Sequence, residues 1–273
     1  MIATTAHGIP KLGLGTFGRT GEDGVSALLD VLEIGYRHID TAQSYDTESS
    51  VGEAVRRSGL ARSEVFITTK VADTNLAKPD FLPSVEKSLE TLGVDGVDLL
   101  LIHWPSDKDA VPFEDYMLAL AHTQEKGWAK RIGVSNFPIA LLEKAETLLG
   151  AGALSTNQVE LHPFLQSPKL TAYAKEKGLP LTAYMPLAKG KVSKDAVLER
   201  IGEKHGVTAA AISLAFLMAE GHVVIPASSS PDRLRENMTA IGVTLDADDM
   251  AAIRALDQGG RMIDPDKAPE WDD

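Results

Sequence analysis

The chain has 273 residues, 44% of them hydrophobic, a formal net charge of −12 and no cysteine. That length and apolar content supply a core for one barrel-sized domain or two smaller ones. The acidic balance and the absence of any basic run longer than two residues argue against a nucleic-acid or anionic-membrane partner, and the absence of cysteine excludes disulfides, thiol catalysis and Cys-based zinc sites.

From the N-terminus onward, short apolar or β-branched runs alternate with longer amphipathic stretches. The expected units are a strand at 12–16 and a helix at 25–34, then 37–40 with 48–58, 65–70 with 82–92, and 97–103 with 114–126. They continue as 131–135 with 139–149, 156–161 with 168–177, 181–184 with a helical stretch 195–220 broken near Gly206, and 223–226 with 231–241. Runs such as "DLLLIHW" and "HVVIPA" are apolar throughout, as parallel strands covered on their outer face should be. Eight strand–helix units predict an α/β fold: a single closed (β/α)8 TIM barrel over 1–273, its site at the C-terminal strand ends and its tail, about 258–273, near the mouth. The opening residues carry no signal-peptide pattern and no run is long enough to span a membrane, so the expected location is the cytoplasm.

The first strand runs into "LGLGTFGRTG", in which Gly13, Gly15 and Gly18 have the spacing of a dinucleotide-binding fingerprint. In that fingerprint the helix starts inside the glycine turn and meets the pyrophosphate. Here residues 21–24 read as a loop ending in a cap, which separates glycines from helix, so the fingerprint is rejected. The glycines instead let the strand end tightly at the barrel mouth.

The polar residues that close each strand define a candidate site. They are Asp40 with Tyr45 five residues on, Lys70, His103, Ser135 with Asn136, Gln158 with Glu160, and Tyr184. A phenol ordinarily ionises near ~10 and is a poor acid at neutrality unless its phenolate is stabilised. A lysine ammonium does that, an aspartate keeps the lysine charged, and a histidine can orient a carbonyl oxygen. With no nucleophile or metal cage, such a set suits proton donation coupled to a hydride from a cofactor. Glu160 and His162 share a strand face, but no third ligand follows at metal-binding spacing.

The blocks "GYRHIDTAQSYDTESSVGEAV", "VFITTKV", "DLLLIHWP", "RIGVSNF", "NQVELHPFLQ" and "AYMPLAKG" resemble the aldo-keto reductases over nearly the whole chain. Within that family, "LIHWPS" and "APEWDD" are similar to the prokaryotic 2,5-diketo-D-gluconate reductases of the B type. The resemblance implies NADPH-dependent reduction of small polar aldehydes or ketones, with Tyr45 as proton donor, Lys70 and Asp40 as its tuning pair and His103 orienting the carbonyl. It implies that Ser135, Asn136 and Gln158 hold the nicotinamide carboxamide, that Tyr184 stacks on the ring, and that Gly15, Thr16, Pro186 and Leu187 add cofactor contacts. Ser228, Arg233, Glu236 and Asn237 match the adenosine block, and Phe17, Trp104 and Trp271 are the expected substrate contacts. The implied partner is a small carbonyl substrate, and the implied assembly a monomer.

One departure stands out. Many members have lysine in the adenosine block where this chain has Ala227, which leaves NADH possible beside NADPH. Two other readings stay open at this stage. One is a non-catalytic nicotinamide-binding regulatory subunit, as in the potassium-channel β-subunits that resemble this family. The other is a metal-dependent barrel hydrolase.

Overall fold

The computed structural model describes residues 2–272; Met1 and Asp273, the ends of the expected single domain, lie outside the described residues. The elements are β1 (Leu14–Gly15), α1 (Gly21–Ile34), β2 (His38–Asp40), α2 (Glu48–Arg57), β3 (Phe66–Val71), α3 (Lys78–Leu92), β4 (Leu99–Ile102) and α4 (Phe113–Glu125). They continue with β5 (Ile132–Ser135), α5 (Ile139–Leu149), β6 (Asn157–Glu160), α6 (Pro168–Lys177), β7 (Leu181–Tyr184), α7 (Ala196–His205) and α8 (Ala209–Ala219). The chain then forms β8 (Val223–Val224), α9 (Pro231–Met238) and α10 (Ala247–Arg254).

All eight strands are parallel and ordered β1 to β8, so the chain winds once around a (β/α)8 barrel. The ring closes through Gly13 N–H to Val224 O (2.9 Å), Val224 N–H to Lys11 O (2.8 Å) and Gly15 N–H to Pro226 O (3.1 Å). β1 and β8 are shorter than the sequence predicts because this seam is carried by isolated backbone contacts beside a single bridge, Leu12 to Val224. Arg19 clasps the same seam from outside the ladder, donating to Gly15 O (2.8 Å) and to Ser228 O.

The apolar periodicity of each helix explains its placement. On α1, Val25, Leu28, Val31 and Leu32 are buried on one face, and Gly35 at φ 117° ends the helix in the left-handed region. Burying a side chain such as Leu28 contributes about 1.5–3 kcal/mol. At the end of the barrel where the strands begin, Ile9 packs against Leu99, Leu101 and Val223 and plugs the floor. Among the described residues no helix is long and apolar enough to cross a membrane.

The structure differs from the expected elements at three points. Residues 21–24 are the first turn of α1, not a loop: Glu22 and Asp23 sit where the helix dipole favours acids. Gly24 is required there, since a Cβ would meet the Arg19 carbonyl at 2.4 Å. α3 starts at Lys78 rather than 82, with a proline in its first turn and Pro83 within it. The stretch 195–220 is two helices broken at Gly206, as expected, with that residue at φ 68°. α10, opened by the reciprocal cap of Asp246 and Asp249, was absent from the expected elements.

Candidate active site

Parallel register brings the strand ends together. β2 and β3 align Asp40 with Thr68, and from there Lys70 reaches back with its ammonium 2.5 Å from Asp40 Oδ1 and 2.9 Å from Thr41 O. Both charged side chains are almost wholly removed from solvent, at 0% and 2% exposure. Burial acts to lower the Lys70 pKa, but the charge of Asp40 and the Tyr45 hydroxyl outweigh it, and the net direction is upward. Lys70 is therefore held as the ammonium.

Tyr45 ends the 3₁₀ turn Gln43–Tyr45 that follows β2. Its ring centre lies 4.8 Å from Lys70 Nζ, and its hydroxyl is 3.4 Å from His103 Nε2. Burial first, then the positive charges of Lys70 and Lys267, push the His103 pKa down to about 2. A neutral imidazole therefore faces the phenol, with Ser44 Oγ 3.3 Å from its other nitrogen, Nδ1. The structure thus brings Asp40, Tyr45, Lys70 and His103 into one contiguous cluster.

On the opposite side, Asn136, held at φ 63°, donates to His103 O (3.0 Å) and to Ser135 Oγ (3.1 Å). The Tyr184 hydroxyl donates to Asn136 Oδ1 (2.9 Å), and Ser135 Oγ donates to Gln158 O (2.8 Å). Gln158 Nε2 donates to Asp40 Oδ2 (2.7 Å), which joins this network to the charged pair and leaves its carbonyl oxygen as an acceptor. Thr16 is buried, its hydroxyl in a chain through Thr47 to Thr41 with spacings of 2.9 and 2.8 Å.

Three aromatics ring the mouth. Phe17 is 74% exposed and stands edge-on to the Tyr45 ring at 5.3 Å. Trp104 and Trp271 pack edge to face at 6.2 Å, and Arg261 lies 3.9 Å over the Trp271 ring.

Residues 258–272 reach this position by a latch that sequence reasoning missed. Glu160 Oε1 accepts from Met262 N–H (2.9 Å), Glu160 Oε2 from Ile263 N–H (2.8 Å), and His162 Nε2 lies 3.0 Å from Oε1. Nothing local in "VELHPF" signals this, because the partners stand 102 and 103 residues downstream.

A cleft of about 620 Å³ leads from the mouth between the loop after β7 and the start of α9. It is lined by Pro186, Leu187, Ser228, Arg233, Glu236 and Asn237, all expected cofactor contacts, and by Ala227. Asn237 is 2% exposed and its Nδ2 finds no hydrogen-bond partner, a donor left over for a bound polar group. A long cleft with a guanidinium, a helix N-terminus and an orphaned amide fits a phosphorylated adenosine. Met185, Lys189, Ser193, Glu199 and Thr208 also line it and were not anticipated.

Residues 11–258 match the model of the aldo/keto reductase family. The chain belongs to that family. It is 48% identical over 265 residues to a methylglyoxal reductase DkgB of Escherichia coli O157:H7, covering 97% of this chain and 99% of the relative. Identity to the DkgB of Yersinia pestis is 42%, with the same coverage. Among solved structures it is similar to a protein provisionally named 2,5-diketo-D-gluconic acid reductase B, at 38% identity and a TM-score of 0.95, covering 100% of this chain and 98% of that one. The expected B-type resemblance is therefore supported within the aldo/keto reductases.

Proposed function

We propose that this chain reduces small polar aldehydes or ketones to alcohols with NADPH, and that Tyr45 is the proton donor. The observation that carries the reading is Lys70, held charged by Asp40 and set 4.8 Å from the Tyr45 ring while His103 approaches the phenol hydroxyl. Family membership and relatives named for methylglyoxal and diketogluconate reduction support it.

When bound, NADPH supplies a hydride to the carbonyl carbon. The protein's task is then to manage the oxygen. His103, neutral across the working range, directs a ring N–H at the carbonyl oxygen. Tyr45 gives up its proton to that oxygen, and the Lys70 ammonium stabilises the phenolate that remains. Asp40 holds the ammonium in place, and Gln158 ties Asp40 to the Ser135–Asn136–Tyr184 network, which would hold the nicotinamide. Phe17, Trp104 and Trp271 form the walls against which a small carbonyl compound sits and from which water is excluded.

The test is NADPH oxidation with a panel of aldehydes and ketones that includes methylglyoxal and 2,5-diketo-D-gluconate. Tyr45→Phe should abolish turnover and leave NADPH binding nearly intact; turnover retained in that variant removes the proton-donor role. Wild-type protein that binds NADPH yet reduces nothing on the panel instead favours a regulatory subunit. Arg233 and the Ser230 cap favour NADPH over NADH, and a lower dissociation constant for NADH would refute that preference.

A further inference from the structure

The strongest unassigned feature lies in the adenosine-side cleft, and its interpretation rests on the dinucleotide reading above. Two cations line this cleft from opposite walls: Lys189, in the loop after β7, and Arg233, in the first turn of α9. Among the described residues neither side-chain charge forms an ion pair or hydrogen bond, although Glu199 and Glu236 line the same cleft. In a chain of net charge −12, two cations lining one cleft together with the unpartnered Asn237 amide concentrate positive potential and donors there.

The backbone supports the same conclusion. Ala188, Lys189 and Gly190 have φ of 48°, 53° and 84°, three consecutive left-handed residues of which only one is glycine. Such a conformation is unfavourable for L-residues and persists where the surrounding structure holds it. Asn237 supplies an independent sign of a ligand, since its buried Nδ2 lines the cleft without a partner.

We propose that Lys189 is a phosphate-binding residue of the dinucleotide site and supplies from the β7 side the positive charge that Ala227 does not provide from the β8 side. The anion is then held between two walls, by Lys189 and Arg233, rather than from the β8 side alone. An ammonium here is a strong point charge, while the guanidinium opposite adds directional donors.

The experiment measures dissociation constants of NADP+, NAD+ and 2′,5′-ADP for wild type, Lys189→Met and Lys191→Met by calorimetry, with thermal melts confirming the fold. Lys189 and Lys191 are both exposed, and Lys191 does not line the cleft. Lys189→Met should weaken NADP+ about tenfold or more, the usual worth of a charge-assisted hydrogen bond, with Lys191→Met unchanged. A loss confined to NADP+ and 2′,5′-ADP assigns the ammonium to the 2′-phosphate. A parallel loss for NAD+ assigns it to the pyrophosphate, and either result upholds the proposal. Unchanged NADP+ affinity, or equal losses in the two lysine variants, overturns it. If wild type binds none of the three probes, the dinucleotide reading itself falls and this inference falls with it.

Discussion

Lys70 Nζ and Asp40 Oδ1 lie 2.5 Å apart inside the barrel, with no solvent beside either. Removing one partner strands the other's charge in a low-dielectric site, at a cost of about 3–5 kcal/mol. Asp40→Asn should lower the urea midpoint accordingly and depress kcat, because the lysine loses the charge that offsets its desolvation. The Lys70 pKa is raised in the folded state, so its contribution is complete below the unfolded lysine value of 10.5 and is lost only as pH climbs through the folded value. A stability profile of Lys70→Met that parallels wild type above that pH would refute this.

His103 and His222 act in the opposite sense. Burial, aided by Lys70 and Lys267, holds His103 near 2; burial and Lys11 hold His222 near 4. Unfolded imidazoles take up protons below about 6.5 whereas these two do not. Full stability is thus present above that pH and declines as the solution is acidified towards the folded values. Changing either histidine to glutamine should make the acid-side slope shallower by up to about 1.4 kcal/mol per pH unit, read from denaturation midpoints between pH 7 and 4. Turnover, for its part, should show no titration attributable to His103 in the neutral range.

Glu160 holds residues 258–272 by two backbone amides, at 2.9 and 2.8 Å. Glu160→Ala leaves those amides without an acceptor, at a cost of about 1–3 kcal/mol each if they stay buried, so the tail should lift instead. Trypsin should then cleave faster at Arg261 and Lys267, and KM should rise more than kcat falls. Unaltered cleavage would show that the tail is held by other contacts.

The glycine fingerprint can be tested in the same way. At Gly13 a Cβ would stand 2.7 Å from the His38 ring, which is fixed by Pro10 O and Thr68 Oγ1; at Gly18, φ is 81° but the space is open. Gly13→Ala should cost about 1–3 kcal/mol through overpacking, and Gly18→Ala about 1–2 kcal/mol through backbone conformation. A loss of NADP+ affinity in Gly13→Ala with stability intact would return this glycine to a phosphate-binding role.

These contrasts show what was legible in the chain. Fully buried parallel strands need unbroken apolar runs, so segments such as 99–102 were readable, and strand polarity then placed Asp40, Lys70 and His103 at one end. The start of α1 was not readable, because Gly21 and Gly24 mimic a loop when the close approach of Arg19 is unseen. Glu160 and Lys189 were missed for a different reason. Each is meaningful only against chain far away in sequence, the tail amides for one and the opposite cleft wall for the other.

The seam between β1 and β8 sets a rule for how the molecule is made. Leu12 has no strand neighbour on that side until Val224 exists, so the ring cannot close before the eighth strand is made. Shutting the ring brings together segments more than two hundred residues apart, a non-local pairing of the kind that slows folding. Arg19, bonded to Gly15 on one side and Ser228 on the other, secures the join once it is made.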